Sequence, residues 1–239
     1  MRIRIAYVEE PPFYWTGGDG APTGSDVELA DVVLRAIGAT AIDYHAVAFE
    51  ELLSGVGTGR WEVNVPIFVT AERAHAVAFS RPVWSLGDGF LVRRGNPKSL
   101  TSYRAIAARD DARLGVIPGQ VQIESARSEA VTDDQLVTFT DQAVAVAALL
   151  TGRIDAFAAT AVGNRAVVDA EPGLESVALE TRGQTGPPVG AFSLRRDNRH
   201  LLEAMNAELR SYLGSPDHRA RMARYGITRA EIDPVLGRS

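Results

Sequence analysis

The sequence predicts an α/β protein made of two similar halves, and three observations carry the prediction. Strand-like and helix-like stretches alternate along most of the chain, the order expected of a parallel sheet covered by helices. A six-residue phrase recurs in one context. Thr58-Gly59-Arg60-Trp61-Glu62-Val63 and Thr151-Gly152-Arg153-Ile154-Asp155-Ala156 each follow a helix-like run and open an apolar strand-like one. Breaks at Gly95-Asn96-Pro97 and Gly186-Pro187-Pro188 interrupt the alternation, dividing the chain into 1–92, 93–190 and 191–239. Two halves joined by two strand-like crossings, with a small-molecule cleft between them, fit this pattern. The plainer alternative is that Thr-Gly-Arg is merely a good helix stop.

Taken in order, Ile3 to Val8 alternates as a strand and runs into Glu9-Glu10-Pro11-Pro12-Phe13-Tyr14-Trp15, a stiff aromatic loop. Ser25 and Glu28 have capping-box spacing ahead of a helix with Val27, Ala30, Val33, Leu34 and Ile37 on one face. Ile42 to Val47 is a strand, and a short helix begins at Phe49. Trp61 to Val65 is a strand ended by a bend at Pro66, and Thr70 is the N-cap of a short helix. Gly89 to Arg94 is the strand before the first break. The second half restarts with a strand at Leu114 to Ile117, a Pro118-Gly119 turn and a helix over Gln120 to Ala130. Strand 136–139, helix 141–150, strand 154–158, helix 160–169 and strand 174–179 follow. Gly190 to Arg195 is the last strand. Two helices close the chain, the first with Leu201, Leu202, Met205, Leu209 and Tyr212 as its apolar stripe.

Composition excludes several classes. With 239 residues, 46% hydrophobic and 23% charged, the chain is an ordinary globular one of one large domain or two lobes. Net charge is −5 with no basic stripe, which argues against nucleic acid as partner. No apolar run approaches the roughly 20 residues of a membrane span, and no leader is visible at Met1-Arg2-Ile3. Cysteine is absent, which excludes disulfides, thiolate metal sites and a Cys nucleophile. The 4 histidines lack metal-ligand spacing, and no dinucleotide fingerprint, Walker A loop or nucleophile elbow occurs. Neither an enzyme, a metal nor a cofactor is expected.

A binding module is better supported. Arg73 sits in an otherwise apolar run between Phe68 and Phe79, where a guanidinium needs an anionic partner. Glu72, another protein carboxylate or a ligand carboxylate can fill that role. Phe13, Tyr14, Trp15, Phe49 and Phe68 stand at strand ends or helix starts, where rings line a cleft mouth and attract cations, or else pack in the core. Helix N-termini after Gly119 and around Thr140-Asp141 offer N–H groups to an anion. Such a set suits a small zwitterion.

The segments PPF, GRWEV, TAERAHAVAFSRPVW and GRIDAFAAT together resemble family 3 of the solute-binding proteins of ABC importers, which have the type II periplasmic binding protein fold. The resemblance spans nearly the whole chain. Within the family, VAFSRPVWSLGDGFLVRRGNPKSLTSYRAIA and LLTGRIDAFAAT are most similar to ectoine and hydroxyectoine binders. It implies two Rossmann-like lobes on a two-strand hinge near Val92–Arg94 and Gly190–Phe192. It also implies a permease partner and a periplasmic or outer-face location; a monomer is expected. Arg73 would grip the ligand carboxylate, and the backbone after Gly119, at Gln120 and Val121, would add donors. Gln120 stands where the family usually has threonine.

A sharper departure is Thr160. Amino-acid binders of the family carry an aspartate five residues after Asp155 for the ligand's α-ammonium, and a hydroxyl cannot replace that charge. The departure favours a delocalised cation such as the cyclic amidinium of ectoine, held by Phe13, Phe49 and Phe68, with Glu9 or Glu10 accepting ring N–H bonds and Thr140 and Thr160 on the second side. The alternatives are a polar amino-acid or opine-type binder, whose ammonium would fall to Glu9 or Glu10, and a receptor's sensory domain. A cyclohexadienyl or arogenate dehydratase on this scaffold would need a second cationic group, and no matching arginine stands out.

Overall fold

The computed structural model describes residues 1–179 and 188–237. The chain forms two compact units, Met1–Leu86 with Pro188–Ser239, and Gly87–Pro187. The first begins with β1 (Arg2–Tyr7), β2 (Trp15–Thr16), β3 (Pro22–Thr23), α1 (Ser25–Ala36) and β4 (Ala41–Ala46). It continues through α2 (Glu51–Gly57), β5 (Val63–Phe68), α3 (Ala71–Ala76), β6 (Ala78–Phe79) and β7 (Trp84–Ser85). The second unit holds β8 (Asp88–Arg93), α4 (Tyr103–Ala107), β9 (Leu114–Val116), α5 (Val121–Ser128) and β10 (Leu136–Thr138). There follow α6 (Gln142–Leu150), β11 (Ala156–Thr160), α7 (Ala161–Ala170) and β12 (Leu174–Ala178). The chain then returns to the first unit as β13 (Val189–Leu194), α8 (Arg199–Tyr212), α9 (Pro216–Ala223) and α10 (Arg229–Ile232).

Each unit has one main sheet. In the first the order is β4-β1-β5-β13-β6, with β7 also on β13. In the second it is β10-β9-β11-β8-β12. Three strands of each sheet are parallel, as the alternation of strands and helices predicts. The expected all-parallel sheet is corrected by β13 and β8, which run antiparallel to their neighbours. Both cores are built of apolar side chains: Ile3, Ile5, Val63, Phe192 and Leu194 of the sheet and Leu29, Val33 and Leu34 of α1 are buried in the first unit. Phe90, Val92, Leu114, Ala126, Ala156 and Ala158 form the second. Burying each large apolar side chain contributes about 1.5–3 kcal/mol.

The recurring six-residue phrase is a structural repeat. Thr58 and Thr151 follow the last turns of α2 and α6, and each hydroxyl donates to the carbonyl four residues back, Ser54 and Ala147. Gly59 and Gly152 then take φ of +75°, a conformation that costs glycine little. Next, Glu62 accepts from the N–H of Arg4 (2.7 Å) and donates its own N–H to the Arg4 carbonyl (3.0 Å). Asp155 makes the same exchange with Arg113, at 2.9 Å each way. The phrase is therefore both a helix stop and the latch that sets one strand beside its parallel neighbour.

Several local expectations change. Pro66 does not end the strand but lies inside β5, where the pairing with β13 shifts between Ala191 and Ser193, a place that tolerates a missing N–H. Ser25 and Glu28 form no capping box. The N-cap is Gly24, without a side-chain cap, and Glu28 instead meets Tyr225 and Arg224. Residues 92–93 and 190–192 lie within paired strands, with Arg94 just past the end of β8, since β8 is bonded to both β11 and β12 and β13 to β5. Strands held this way resist dihedral change, and the units meet in sequence instead at Leu86/Gly87 and Pro187/Pro188, not at 92/93 and 190/191. A third short helix, α10, follows the two expected at the C-terminus. Residues 186 and 187 of the Gly-Pro-Pro break lie outside the described residues.

Candidate functional site

In the first unit the loop after β1 is clamped onto the start of α1. The N–H groups of Ser25 and Asp26 donate to the carbonyls of Pro12 and Phe13 at 3.0 and 2.9 Å. Gly24 permits the approach: its φ is +126°, and a Cβ there would lie 2.2 Å from the Phe13 carbonyl oxygen. Five buried groups meet as a result: Glu10, Phe13, Tyr14, Asp26 and Trp84. Trp84 Nε1 donates to Asp26 Oδ2 at 3.1 Å. Its ring meets Phe13 at 6.2 Å and Phe68 edge-on at 5.2 Å. Burial, aided by Glu10, pushes the Asp26 carboxyl up to about 8. Burial, then the charges of Glu10 and Asp26, holds the Tyr14 phenol well above its ordinary range.

Arg73 belongs to the same group. Thr70 caps α3 by accepting the Arg73 N–H at 3.1 Å, as its residue type predicts. The side chain is 7% exposed, Nη1 donates to the Phe68 carbonyl at 2.8 Å, and the guanidinium lies 5.3 Å from the half-buried Phe49 ring. Burial lowers its pKa, with Tyr14 and Glu72 acting the other way. Phe68, Phe49 and Arg73 thus form one chain of contacts that ends at Trp84 and Phe13.

The two candidate acids separate. Glu9 is exposed, and its carboxylate accepts both the N–H and the hydroxyl of Thr16. Glu10 is buried beside Tyr14. Trp84 and Asp26, which join the rings to the acids, were missed from the sequence. Trp84 packs directly on the backbone of Gly190, where a Cβ would fall 2.0 Å from its ring. Gly190→Ala is expected to displace that ring at a cost of about 1–3 kcal/mol, read by calorimetric unfolding and a shift in tryptophan emission.

In the second unit the helix N-termini are not equivalent. Asp141 caps α6 by accepting the Val144 N–H at 2.9 Å and the Thr140 hydroxyl at 2.9 Å, so this end already holds a carboxylate. The Thr140 hydroxyl, expected to face a ligand, is thus engaged by Asp141. Gln120 is the buried N-cap of α5 and makes no side-chain cap. Val121 and Gln122, the first two residues of α5, have no intrahelical acceptor for their N–H groups. Thr160 is buried and caps α7, accepting the Gly163 N–H at 3.1 Å. Its cross-strand partner is Asp88. Asp88 accepts from Gln122 Nε2 at 2.9 Å and the Tyr103 hydroxyl at 3.3 Å. Among the described residues no cluster of His, Cys, Asp and Glu could hold a metal, and no helix is long and apolar enough to cross a membrane.

Two α/β units, one carrying a buried arginine among rings and the other an uncapped helix end, define the class of bilobal solute-binding modules. Residues 3–226 match the model of the bacterial extracellular solute-binding proteins, family 3, and the chain belongs to that family. It is similar to a probable amino-acid ABC transporter periplasmic-binding protein of Sinorhizobium fredii, 27% identical over 98% of this chain and 79% of the relative. The crystal structure of EhuB in complex with hydroxyectoine superposes with a TM-score of 0.86 at 25% identity, over 100% of this chain and 95% of that one. An ancestral arginine-binding protein bound to glutamine shares the fold, with a TM-score of 0.82 at 24% identity, over 94% of this chain and 97% of the other. The chain is thus a solute-binding protein of the ABC-importer type.

Proposed function

We propose that this protein captures a compact zwitterionic compatible solute, ectoine or hydroxyectoine, on the outer side of the cytoplasmic membrane and delivers it to an ABC permease. The observation that carries this reading is Arg73, buried beside Phe49 and Phe68 rather than open to bulk water. A guanidinium held this way suits a ligand carboxylate, which it can take bidentately. The rings around it suit a delocalised cation, each contact contributing roughly 0.5–2 kcal/mol. Thr160 supports the same choice, because its hydroxyl oxygen caps α7 and carries no charge for a primary ammonium. Likeness to the hydroxyectoine-bound EhuB agrees with it. In the first unit Glu10 and Phe13 join the proposed ligand-binding set, and in the second Gln120 and Val121 do; binding of the ligand is what the permease would read.

A second reading, a polar amino acid, is favoured by the buried acid Glu10, which offers a negative group for an α-ammonium. Titration calorimetry with ectoine, hydroxyectoine, arginine, glutamine and glycine betaine separates the two. Micromolar or tighter binding of the ectoines alone is expected, whereas tight arginine or glutamine binding with no ectoine signal ends the first reading.

A further inference from the structure

The turn between α8 and α9 is closed by a buried histidine that the proposed ligand set does not use. Ser215 caps α9 by accepting the His218 N–H at 3.2 Å, and Pro216 opens the helix. His218 folds back over the turn: its Nδ1 accepts the Gly214 N–H at 3.1 Å, and its ring meets Tyr212 edge-on at 5.5 Å. The residue is 1% exposed. Accepting at Nδ1 fixes the tautomer, because a neutral imidazole then carries its one proton on Nε2. That Nε2–H is buried and has no acceptor among the described residues.

The closed turn has no place for a second proton. It would go to Nδ1, where it faces the Gly214 N–H and removes that donor's acceptor, leaving a buried cation with two unpaired donors. The charged groups around the ring are already committed. On α9, Arg219 has the same sign as an imidazolium and is tied to the Gly214 carbonyl (2.9 Å) and to Asp233 (2.7 Å). Asp217 accepts from the Tyr212 hydroxyl of α8 (2.6 Å) and from Arg221 (2.8 Å). On α1, Glu28 is held by Arg221, Arg224 and Tyr225. Burial first, then Arg219, lowers the imidazole to about 4 from its ordinary 6.5, with Asp217 acting the other way.

We propose that His218 is an acid-sensitive clasp: neutral, it holds the α8–α9 turn shut, and its protonation opens the turn and loosens α9 on the first unit. What α9 and the two residues after it grip is α1, through Glu28. The start of that helix is in turn clamped to the carbonyls of Pro12 and Phe13. Acid therefore weakens, from behind, the support of the loop that carries Glu10 and Phe13. An open turn takes up a proton near 6.5 and the closed one only near 4. The clasp is thus at full strength above about 6.5 and weakens as pH falls toward about 4. Across that window opening becomes up to about tenfold more frequent per pH unit, roughly 300-fold in all. The inference stands apart from the identity of the ligand.

The test is made on the protein without ligand. Nitrogen NMR of the imidazole rings should show His218 as the Nε2–H tautomer, titrating near pH 4. Hydrogen exchange should show the protection factor of the Gly214 amide falling by up to about tenfold per pH unit below about 6.5. His218→Asn keeps an acceptor where Nδ1 stood and takes no proton, so its Gly214 amide should lose that dependence whatever its overall stability. Should this variant fail to fold, the two wild-type measurements decide alone. A ring that titrates near 6.5 with the Gly214 amide still protected, a ring in the opposite tautomer, or a folded His218→Asn as acid-sensitive as wild type overturns the assignment.

Discussion

Arg73→Ala is expected to raise the Kd for the bound zwitterion by about thirtyfold to several thousandfold, corresponding to about 2–5 kcal/mol for truncating one partner of a buried charged hydrogen bond. The variant leaves the Phe68 carbonyl without its 2.8 Å donor and uncovers the Phe49 ring. It also removes the planar fork that a carboxylate matches. Arg73→Lys keeps the charge but not the fork, so its binding should fall between the two. Calorimetry on all three proteins, with thermal unfolding alongside, is the check. Binding retained by Arg73→Ala would reduce the residue to a structural tie between α3 and β5.

Asp26→Asn should change how stability depends on pH. The carboxyl ionises at about 8 in the folded protein against an ordinary value near 3.8, because it is buried and Glu10 lies nearby. Between these values the folded chain holds a proton that the unfolded chain has released. Stability therefore falls as pH rises from about 4 to about 8 and levels off above, by roughly 1.4 kcal/mol per pH unit at the steepest. Asparagine mimics the protonated acid and can still accept from Trp84. The variant should gain several kcal/mol over wild type near pH 8, a gain that shrinks toward pH 4. Denaturant titrations of both proteins across that range measure the difference. Parallel curves would mean that Asp26 is ionised at every pH tested.

Most of the framework was legible in the residues. Thr70 acts as the cap that its residue type predicts, because a short polar side chain reaches the N–H groups of a first turn; Asp141 and Thr160 cap their helices by the same local rule, which was not applied to them. The Thr-Gly-Arg phrase was readable for the same reason. Long-range partners were not. Asp26 read as part of a helix start, and only the Trp84 indole, 58 positions away, shows that it is an interior acid. The pairing that sets Asp88 opposite Thr160 was likewise out of reach, because no period in the sequence encodes register between distant strands. Glu9 and Glu10 were indistinguishable as neighbours, yet the bridge between Glu10 and Tyr14 turns one inward and leaves the other with Thr16.

The strand β13 lies between β5 and β6 in the first sheet, although the whole second unit precedes it in the chain. During synthesis the second unit is continuous and emerges complete before Val189 does, whereas the first must wait with an unfilled slot beside β5. Until then β5 presents an apolar, unpaired edge, the kind of surface on which nascent chains stick to one another. A chain stalled or cut short before β13 is therefore expected to go to chaperones and proteases as a one-sided sheet, with its arginine and rings assembled on no stable floor.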